Sequence, residues 1–517
     1  MQDNIKTSER FLFFITVFIA GLCSLVYELL ISTTSSYFLG DSVKQFSLVI
    51  GIYMAAMGLG AYLTQFMNKN LLEWFVKVEV LLGLVGGISV PILYFVFDKV
   101  SGAEYQFIML GLTFLIGTLT GFEIPLLVRI LKEYYPLKSN LAYVLSLDYV
   151  GALIATLLFP FLLLPFVGTF RTSLIFGLIN VFLGFFVYRF FTIELEVKRK
   201  KRLEWAALAC VTFFIILGIF SGKLLKHWED SFYTSKVVYS KQTPYQQLVL
   251  TKNQDDVRLY INRIIQFSSI DEYRYHEALA LYPLSIVPYK KKVLILGGGE
   301  GLLAREVLKF SEIESVTIVD LDEEVFRLAK ENPHVSKLNQ GALNHPKVKL
   351  VANDAMQFLQ SSNEFYDVIL SDLPDPSNES VARLYSTAFY KLVQSKLSAN
   401  GIFATQATST FHTNSAFWCI YESLKASGFQ NAYPYHVYVP SFGDWGFVMA
   451  AHRPLETQNV QLDIPAKFLD STLLKKMFFF EQDITNPGNI LPNRMDQPEL
   501  LDYFLEDWEQ WRRKTKN

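Results

Sequence analysis

Four acidic positions in the second half of the chain stand where apolar runs end, and their spacing carries the chemistry. The stretch VLILGGGEGLLAREVL, beginning at Val293, runs an apolar strand through Gly297, Gly298 and Gly299 into Glu300, Gly301 and a helix. About 20 residues on, the next run ends at Asp320 and Asp322, where a carboxylate can take both hydroxyls of a ribose. The third ends in Asn353-Asp354, and the fourth in Ser371-Asp372-Leu373-Pro374-Asp375-Pro376. Successive strand ends carrying carboxylates point to an adenosine-type ligand with a cationic substituent. The loop acid narrows the class further. A dehydrogenase loop must accept a pyrophosphate and a methyltransferase loop the carboxylate of S-adenosylmethionine; Glu300 turned inward repels both and welcomes an amine. Turned outward, Glu300 faces solvent or caps the following helix.

The elements that must position these acids follow from the pattern. Strands are expected at 292–296, 316–320, 348–352, 366–371, 401–406, 434–439 and 446–451, alternating with helices. That alternation specifies a Rossmann-like, mostly parallel sheet with helices on both faces, with ligands at the carboxyl ends of its strands. Ahead of it, Phe232 to Ser269 alternates apolar and polar residues, with turn signals at Thr243-Pro244 and Asn253 to Asp256, and predicts a small antiparallel β unit. A helix follows from Asp271. The spacing predicts four regions: a transmembrane domain over 1–222, the β unit over 223–270, the Rossmann-like domain over 271–455 and a helical extension over 456–517.

The first region is different in kind. The chain of 517 residues is 51% hydrophobic, with a mean hydropathy of +0.25, too apolar for one soluble globule. Seven runs, near 11–31, 46–66, 78–97, 106–131, 141–164, 172–191 and 204–221, are long enough to cross a hydrocarbon core of about 30 Å. The first is long and has further spans after it, which argues against a cleaved signal peptide. With a cytoplasmic N-terminus the inside loops hold thirteen basic residues, Lys6, Arg10 and Lys198 to Arg202 among them, against five outside. The expectation is a multi-pass protein of the cell membrane. Seven spans read literally put the second half outside the cytoplasm, and one further or re-entrant segment reverses that, so the side stays open. Glu28, Glu123 and Asp148 fall inside the runs. Such acids line a path for a cation, pair with a base such as Arg129, or lie protonated between helices. Gly51, Gly58 and Gly60 suit close helix packing.

Charge excludes one class of partner. Up to Gly222 the chain has 16 Lys and Arg against 14 Asp and Glu, and beyond it 31 against 35. A mildly acidic second half is a poor match for nucleic acid, whose phosphates call for a basic surface. Three cysteines, Cys23, Cys210 and Cys419, imply no disulfide framework.

The motifs LYINRIIQFSSIDEYRYHEAL, VLILGGGEGLLAREVL, VTIVDLDEEV, VANDAMQFL, YDVILSDLPDP followed by LYSTAFY, and PSFGDWGF resemble the spermidine synthases, the polyamine aminopropyltransferases, over roughly 232–452. The whole chain resembles the membrane-spanning branch of that family. The resemblance implies transfer of the aminopropyl group of decarboxylated S-adenosylmethionine to putrescine or a related amine, giving spermidine and 5′-methylthioadenosine. It implies no metal and no cofactor beyond that co-substrate. By position, Asp372 and Tyr275 are the catalytic pair, with Asp375 and Tyr275 at the acceptor amine. Gln266, His276, Gly297, Gly299, Glu300, Asp320, Asn353 and Asp354 bind the donor. Three positions depart from the family: Glu300 replaces its usual Asp, SNESVAR follows Pro376 in place of a Gly-Pro-Ala-like loop, and Val439 stands where many members have Tyr. Soluble relatives form dimers or tetramers, which suggests a homo-oligomer; a lipid bilayer is the other expected partner. Two other readings share these features. One is a membrane polyamine transporter or sensor with a non-catalytic α/β domain; the other, a methyltransferase, is disfavoured by Glu300.

Overall fold

A computed structural model describes residues 7–39, 42–97, 99–100, 102–132, 137–190, 197–457 and 460–516. Lys6, counted above among the basic residues, lies outside them. The chain divides into two compact units, Met1–Thr234 and Ser235–Asn517.

Among the described residues the first unit is built from helices: α1 (Thr7–Leu39), α2 (Ser42–Leu63), α3 (Leu71–Phe97), α4 (Gly102–Leu131), α5 (Leu137–Leu158), α6 (Thr169–Phe190) and α7 (Val197–Phe232), with a π-helical segment, Phe159–Val167, extending α5. All seven are long and apolar enough to cross a membrane. A helix satisfies its own backbone, so a run of apolar side chains can be left without water at no hydrogen-bonding cost. Glycines set how closely the helices meet. A Cβ at Gly60 would lie 2.1 Å from the Thr118 carbonyl oxygen and one at Gly121 2.2 Å from that of Met57, so α2 and α4 touch backbone to backbone. Gly83 and Gly177 do the same for α3 and α6, and Gly151 packs α5 on Phe18 of α1. Of the three glycines expected to pack helices, Gly60 does so; Gly51 and Gly58 meet no neighbour within 4 Å.

Two further expectations change. Glu123 does not pair with Arg129, whose guanidinium donates to the carbonyl oxygens of Thr64 (2.6 Å) and Met67 (2.7 Å). Residues 223–232, assigned above to the β unit, instead continue α7, because KLLKHWEDSF contains no proline or glycine to stop the helix.

The second unit opens with an antiparallel sheet, β1 (Lys236–Gln242), β2 (Gln247–Asn253), β3 (Asp256–Ile261) and β4 (Ile264–Ser268), paired in that order. Next come α8 (Glu272–Ile286), β5 (Lys292–Gly297), α9 (Leu302–Val307), β6 (Ser315–Asp320), α10 (Glu323–Glu331), α11 (Pro333–Leu338), β7 (Val348–Ala352), α12 (Ala355–Ser361), β8 (Tyr366–Asp372), β9 (Leu397–Ser409), β10 (Asn431–Val439) and β11 (Gly443–Ala451). The large sheet has the order β10-β11-β9-β8-β5-β6-β7. β5 to β9 are parallel, β11 runs antiparallel to β9, and β10 runs antiparallel to β11, a mixed Rossmann-like sheet. Alternate side chains of β5 enter two cores: Val293 and Ile295 pack on one face, Leu294 and Leu296 on the other. Burial on both faces is why these strands read as continuous apolar runs. β5 lies between β8 and β6, so the strand order turns there and leaves a crevice at their carboxyl ends.

The extension over 456–517 is helical only in part. Ser471–Lys476 and Glu499–Lys516 are helices, and Pro487, Pro492 and Pro498 break what lies between. Its anchors are carboxylates: Glu277 accepts from the amides of Lys467, Phe468 and Leu469 at 2.7 to 3.1 Å, and Asp507 accepts from those of Ser415 and Ala416.

Candidate active site

The glycine loop closes on the end of β8. Gly297, Gly298 and Gly301 have φ of +82°, +62° and +82°, a region side chains avoid. A Cβ at Gly297 would stand 2.0 Å from the Asp372 carbonyl oxygen, and the Gly298 amide donates to that oxygen at 3.1 Å. The turn therefore fixes the Asp372 backbone beside Glu300. Gly299 donates its amide to Asp320 Oδ2 (3.1 Å), while Asp320 Oδ1 accepts from the Asp322 amide. Burial pushes the Asp320 carboxyl up to about 6, against the pull of those two amides.

Glu300 is turned inward. Its Oε1 lies 3.6 Å from His276 Nε2 and has no direct hydrogen bond among the described residues. The N-cap of α9 is Gly301, so Glu300 does not cap that helix. Asp372 is reached from two sides: Tyr275 donates its hydroxyl to Oδ1 (2.6 Å), and His276 Nε2 lies 4.0 Å from Oδ2. Burial pushes the Asp372 carboxyl up to about 7, reinforced by the Glu300 charge and opposed by His276 and the Tyr275 hydroxyl. Asp375 is likewise raised to about 7 by burial, with Gln406 and Thr408 supporting the charged form; its Oδ1 has no partner among the described residues.

His276 is the cation among these acids. Its Nδ1 donates toward the Glu272 carboxylate (2.8 Å) and carbonyl oxygen (2.7 Å), one helical turn back on α8. Burial alone would drive the imidazole to neutral, but Glu272 and Glu300 hold it up to about 10. Glu272 is in turn gripped by Arg305, whose Nη1 and Nη2 each donate at 2.9 Å. Burial opposes the charge on Glu272, yet His276 and Arg305 bring its carboxyl down to about 2. His276, Glu300 and Asp372 present atoms within 4.8 Å of one another, a spacing that could hold a metal ion. A protonated imidazole has no lone pair to offer one.

Three expected donor contacts are arranged otherwise. Asp354 caps α12 through the Gln357 amide (3.0 Å) and forms an ion pair with Arg383. Asn353 closes the turn before it, accepting from the Asp354 amide (2.8 Å) and donating its own amide to the Asp320 carbonyl oxygen. Gln266 folds its side-chain amide onto the Ile264 carbonyl oxygen (3.1 Å) of its own strand. Asp322 caps α10 and accepts from the Thr243 hydroxyl (2.7 Å), which ties the small sheet to the large one.

The surroundings of Tyr275 are aromatic. Around Tyr275 stand Phe442, Trp445 and Phe447, with ring centroids 6.0, 6.4 and 5.3 Å away. Ser441 is fastened to the start of α8 by its amide and hydroxyl, which donate to the two oxygens of Asp271. Tyr385 donates to the Leu373 and Pro374 carbonyl oxygens and Gln406 to that of Leu373, so the loop carrying Asp375 is held from behind. The motif reading left out Glu272, Arg305, Gln406 and Trp445. The four-residue step from Glu272 to His276 was visible on a helix; Arg305, 33 residues further along, has no local signature.

A nucleoside-binding α/β domain with a strongly acidic, amine-compatible crevice is the class these features define. Residues 272–462 match the spermine/spermidine synthase domain. The chain is 41% identical over 498 residues to the polyamine aminopropyltransferase of Leptospira interrogans, covering 96% of this chain and 98% of that one. It is 40% identical over 504 residues to polyamine aminopropyltransferase 2 of Ralstonia nicotianae, with 96% and 97% covered. Among solved structures, spermidine synthase from Thermotoga maritima aligns with 48% of this chain and 85% of its own, at 24% identity and a TM-score of 0.44. The chain belongs to the polyamine aminopropyltransferase family.

Proposed function

We propose that the chain transfers the aminopropyl group of decarboxylated S-adenosylmethionine to putrescine or a related amine. The amine nitrogen attacks the carbon next to the sulfonium, the carbon–sulfur bond breaks, and its electron pair returns to sulfur, leaving 5′-methylthioadenosine. The attacking nitrogen must be neutral, so an alkylammonium first gives up a proton. Asp372 takes it, and Tyr275 holds the carboxylate in place through Oδ1. Glu300 binds the primary ammonium of the aminopropyl arm, Asp320 the ribose hydroxyls, and the turn at Asn353 and Asp354 borders the adenine. Asp375 and the Tyr275 face receive the acceptor, and Gln266 approaches the donor by turning away from Ile264. No metal or further cofactor takes part, because alignment of amine and sulfonium supplies what the displacement needs.

The observation that carries this reading is Asp372, hydrogen-bonded to Tyr275 at 2.6 Å and raised to about 7 beside Glu300. Such a group can change protonation at neutral pH, as a proton acceptor must. The test is incubation of the full chain with decarboxylated S-adenosylmethionine and a panel of diamines, with methylthioadenosine followed by mass spectrometry. Amine-dependent release is expected; formation of S-adenosylhomocysteine from ordinary S-adenosylmethionine would mean methyl transfer instead.

The same proposal places α1 to α7 in the cell membrane as seven spans, supported by their length and apolar composition. The chain then contacts lipid along the first unit and works as a homo-oligomer. Protease protection in sealed vesicles reads the side of the second unit, and light scattering of the detergent-solubilised chain its assembly.

A further inference from the structure

Of the non-glycine residues with positive φ among the described residues, Thr408, at +62°, is the only β-branched one. A branched Cβ crowds the backbone in that region, so the conformation is strained and persists only where its surroundings hold it. Thr408 lies at a β-bulge. β9 pairs with β11 through Gln406 opposite Phe447 and Ser409 opposite Trp445, so Ala407 and Thr408 together face Gly446 alone. Such bulges re-aim side chains beside ligand sites. The side chain aimed here is Gln406: its Oε1 accepts from the Thr408 amide and its Nε2 donates to the Leu373 carbonyl oxygen, both at 2.8 Å. A donor on one side and an acceptor on the other leave the Gln406 amide a single orientation. Leu373 stands two residues before Asp375. The buried Thr408 hydroxyl bonds that of Thr413 at 2.8 Å, and Thr413 in turn donates to the Ser409 carbonyl oxygen at 2.9 Å. The strained turn is therefore held through its own side chain.

We propose that Thr408 is a positioning residue for the acceptor amine, its left-handed turn aiming Gln406 and thereby the loop that carries Asp375. This rests on the reading that the acceptor lies between Asp375 and the Tyr275 face. β9 stands between β8, which leads into the Asp375 loop, and β11, which carries Trp445 and Phe447. The bulge thus lies between the two sides of the acceptor. In extended backbone the residue-408 N–H would point across to a neighbouring strand, and Gln406 Oε1 would lose its donor. The Gln406 amide would then be free to turn over and drop its bond to Leu373, which leaves a buried carbonyl oxygen short of a partner. Asp375 would shift with that loop, whereas Asp372 ends β8 itself and is bonded to Tyr275. Glu300 and Asp320 stand on the far side of β8, at the ends of β5 and β6. Loss of the turn should therefore weaken the hold on the acceptor and spare both the donor and the proton acceptor.

The experiment measures kcat and both KM values of the detergent-solubilised full chain, using putrescine or whichever diamine of the panel the wild type binds best. Thr408→Val keeps the branched Cβ and loses the hydroxyl that holds the turn. Its KM for the diamine should rise about tenfold, the worth of one buried hydrogen bond, with kcat and the donor KM within about twofold. Thr413→Val removes the same bond from the other side and should act alike, so the test survives if Thr408→Val misfolds. Thr408→Asn also lacks the hydroxyl but enters the left-handed region readily, and should bring the diamine KM back toward wild type. Calorimetric binding of the diamine across the series reads the inference without turnover. A wild type that binds the diamine and releases no methylthioadenosine overturns the transfer reaction, while the ranking of the variants still decides the role of Thr408. A diamine affinity as weak in Thr408→Asn as in Thr408→Val, or variants that lose thermal stability with no change in diamine affinity, would overturn the proposal.

Discussion

In the α/β unit, Glu300 and Asp372 face a cation supplied by the fold, whereas in the helical unit the buried Glu79 and Glu123 have no Lys or Arg paired with them among the described residues. The first cluster has its charge built in: Arg305 grips Glu272, Glu272 holds His276 protonated, and His276 stands 3.6 and 4.0 Å from the two acids. The cation offsets part of the burial that raises Asp372 to about 7, where it can exchange a proton at neutral pH. The second cluster has no such resident among the described ion pairs, so an ionised acid there would lie buried without a counter-charge. The lesson is that burial alone does not make an acid functional in one way; what counts is whether the fold sets a counter-charge beside it.

Removing the proton acceptor should break this comparison most severely. Asp372→Asn is expected to lower kcat by about 10²- to 10⁴-fold in the methylthioadenosine assay, with little change in donor binding. Next comes the support of the resident cation. Arg305→Met leaves Glu272 buried with half its partners, and is expected to cost about 3–5 kcal/mol in denaturant unfolding. Glu300→Gln removes a single charge-assisted contact to the donor; a loss of about 1.5–3 kcal/mol should appear as weaker donor binding by calorimetry. Smallest is the effect of Glu79→Gln/Glu123→Gln on transfer by the detergent-solubilised chain, where kcat should stay within about twofold of wild type. A large drop there would mean that the two clusters are not independent.

Much of the second unit was readable because its signals are local. Every expected strand of the large sheet is present, since each is an apolar run bounded by turn residues. The acids at the strand ends were equally plain. What sequence could not show was which way each one faces: Glu300 turns in, while Asp354 is engaged by Arg383 and the start of α12, 29 residues apart in sequence from its ion-pair partner. Long-range partners leave no periodicity. Glu79 escaped notice for a different reason. The apolar run from residue 78 sets this acid at its rim, but α3 begins at Leu71 and carries Glu79 two turns inside the helix. In the tail, aromatic and acidic residues recur at helical spacing, but the prolines between them decide the backbone.

The most direct test of the account is the pH dependence of kcat/KM for the donor, compared between wild type and Glu300→Gln. Asp372 must be ionised to take a proton, and burial together with the Glu300 charge raises its carboxyl to about 7, so the wild-type rate should climb as pH rises through about 7. Taking away the Glu300 charge removes one cause of that elevation, so in Glu300→Gln the same rising limb should move to lower pH, whatever the loss in absolute rate. A limb that stays where it was, or that is absent from the wild-type profile, would contradict the assignment of Asp372 as the group that receives the proton.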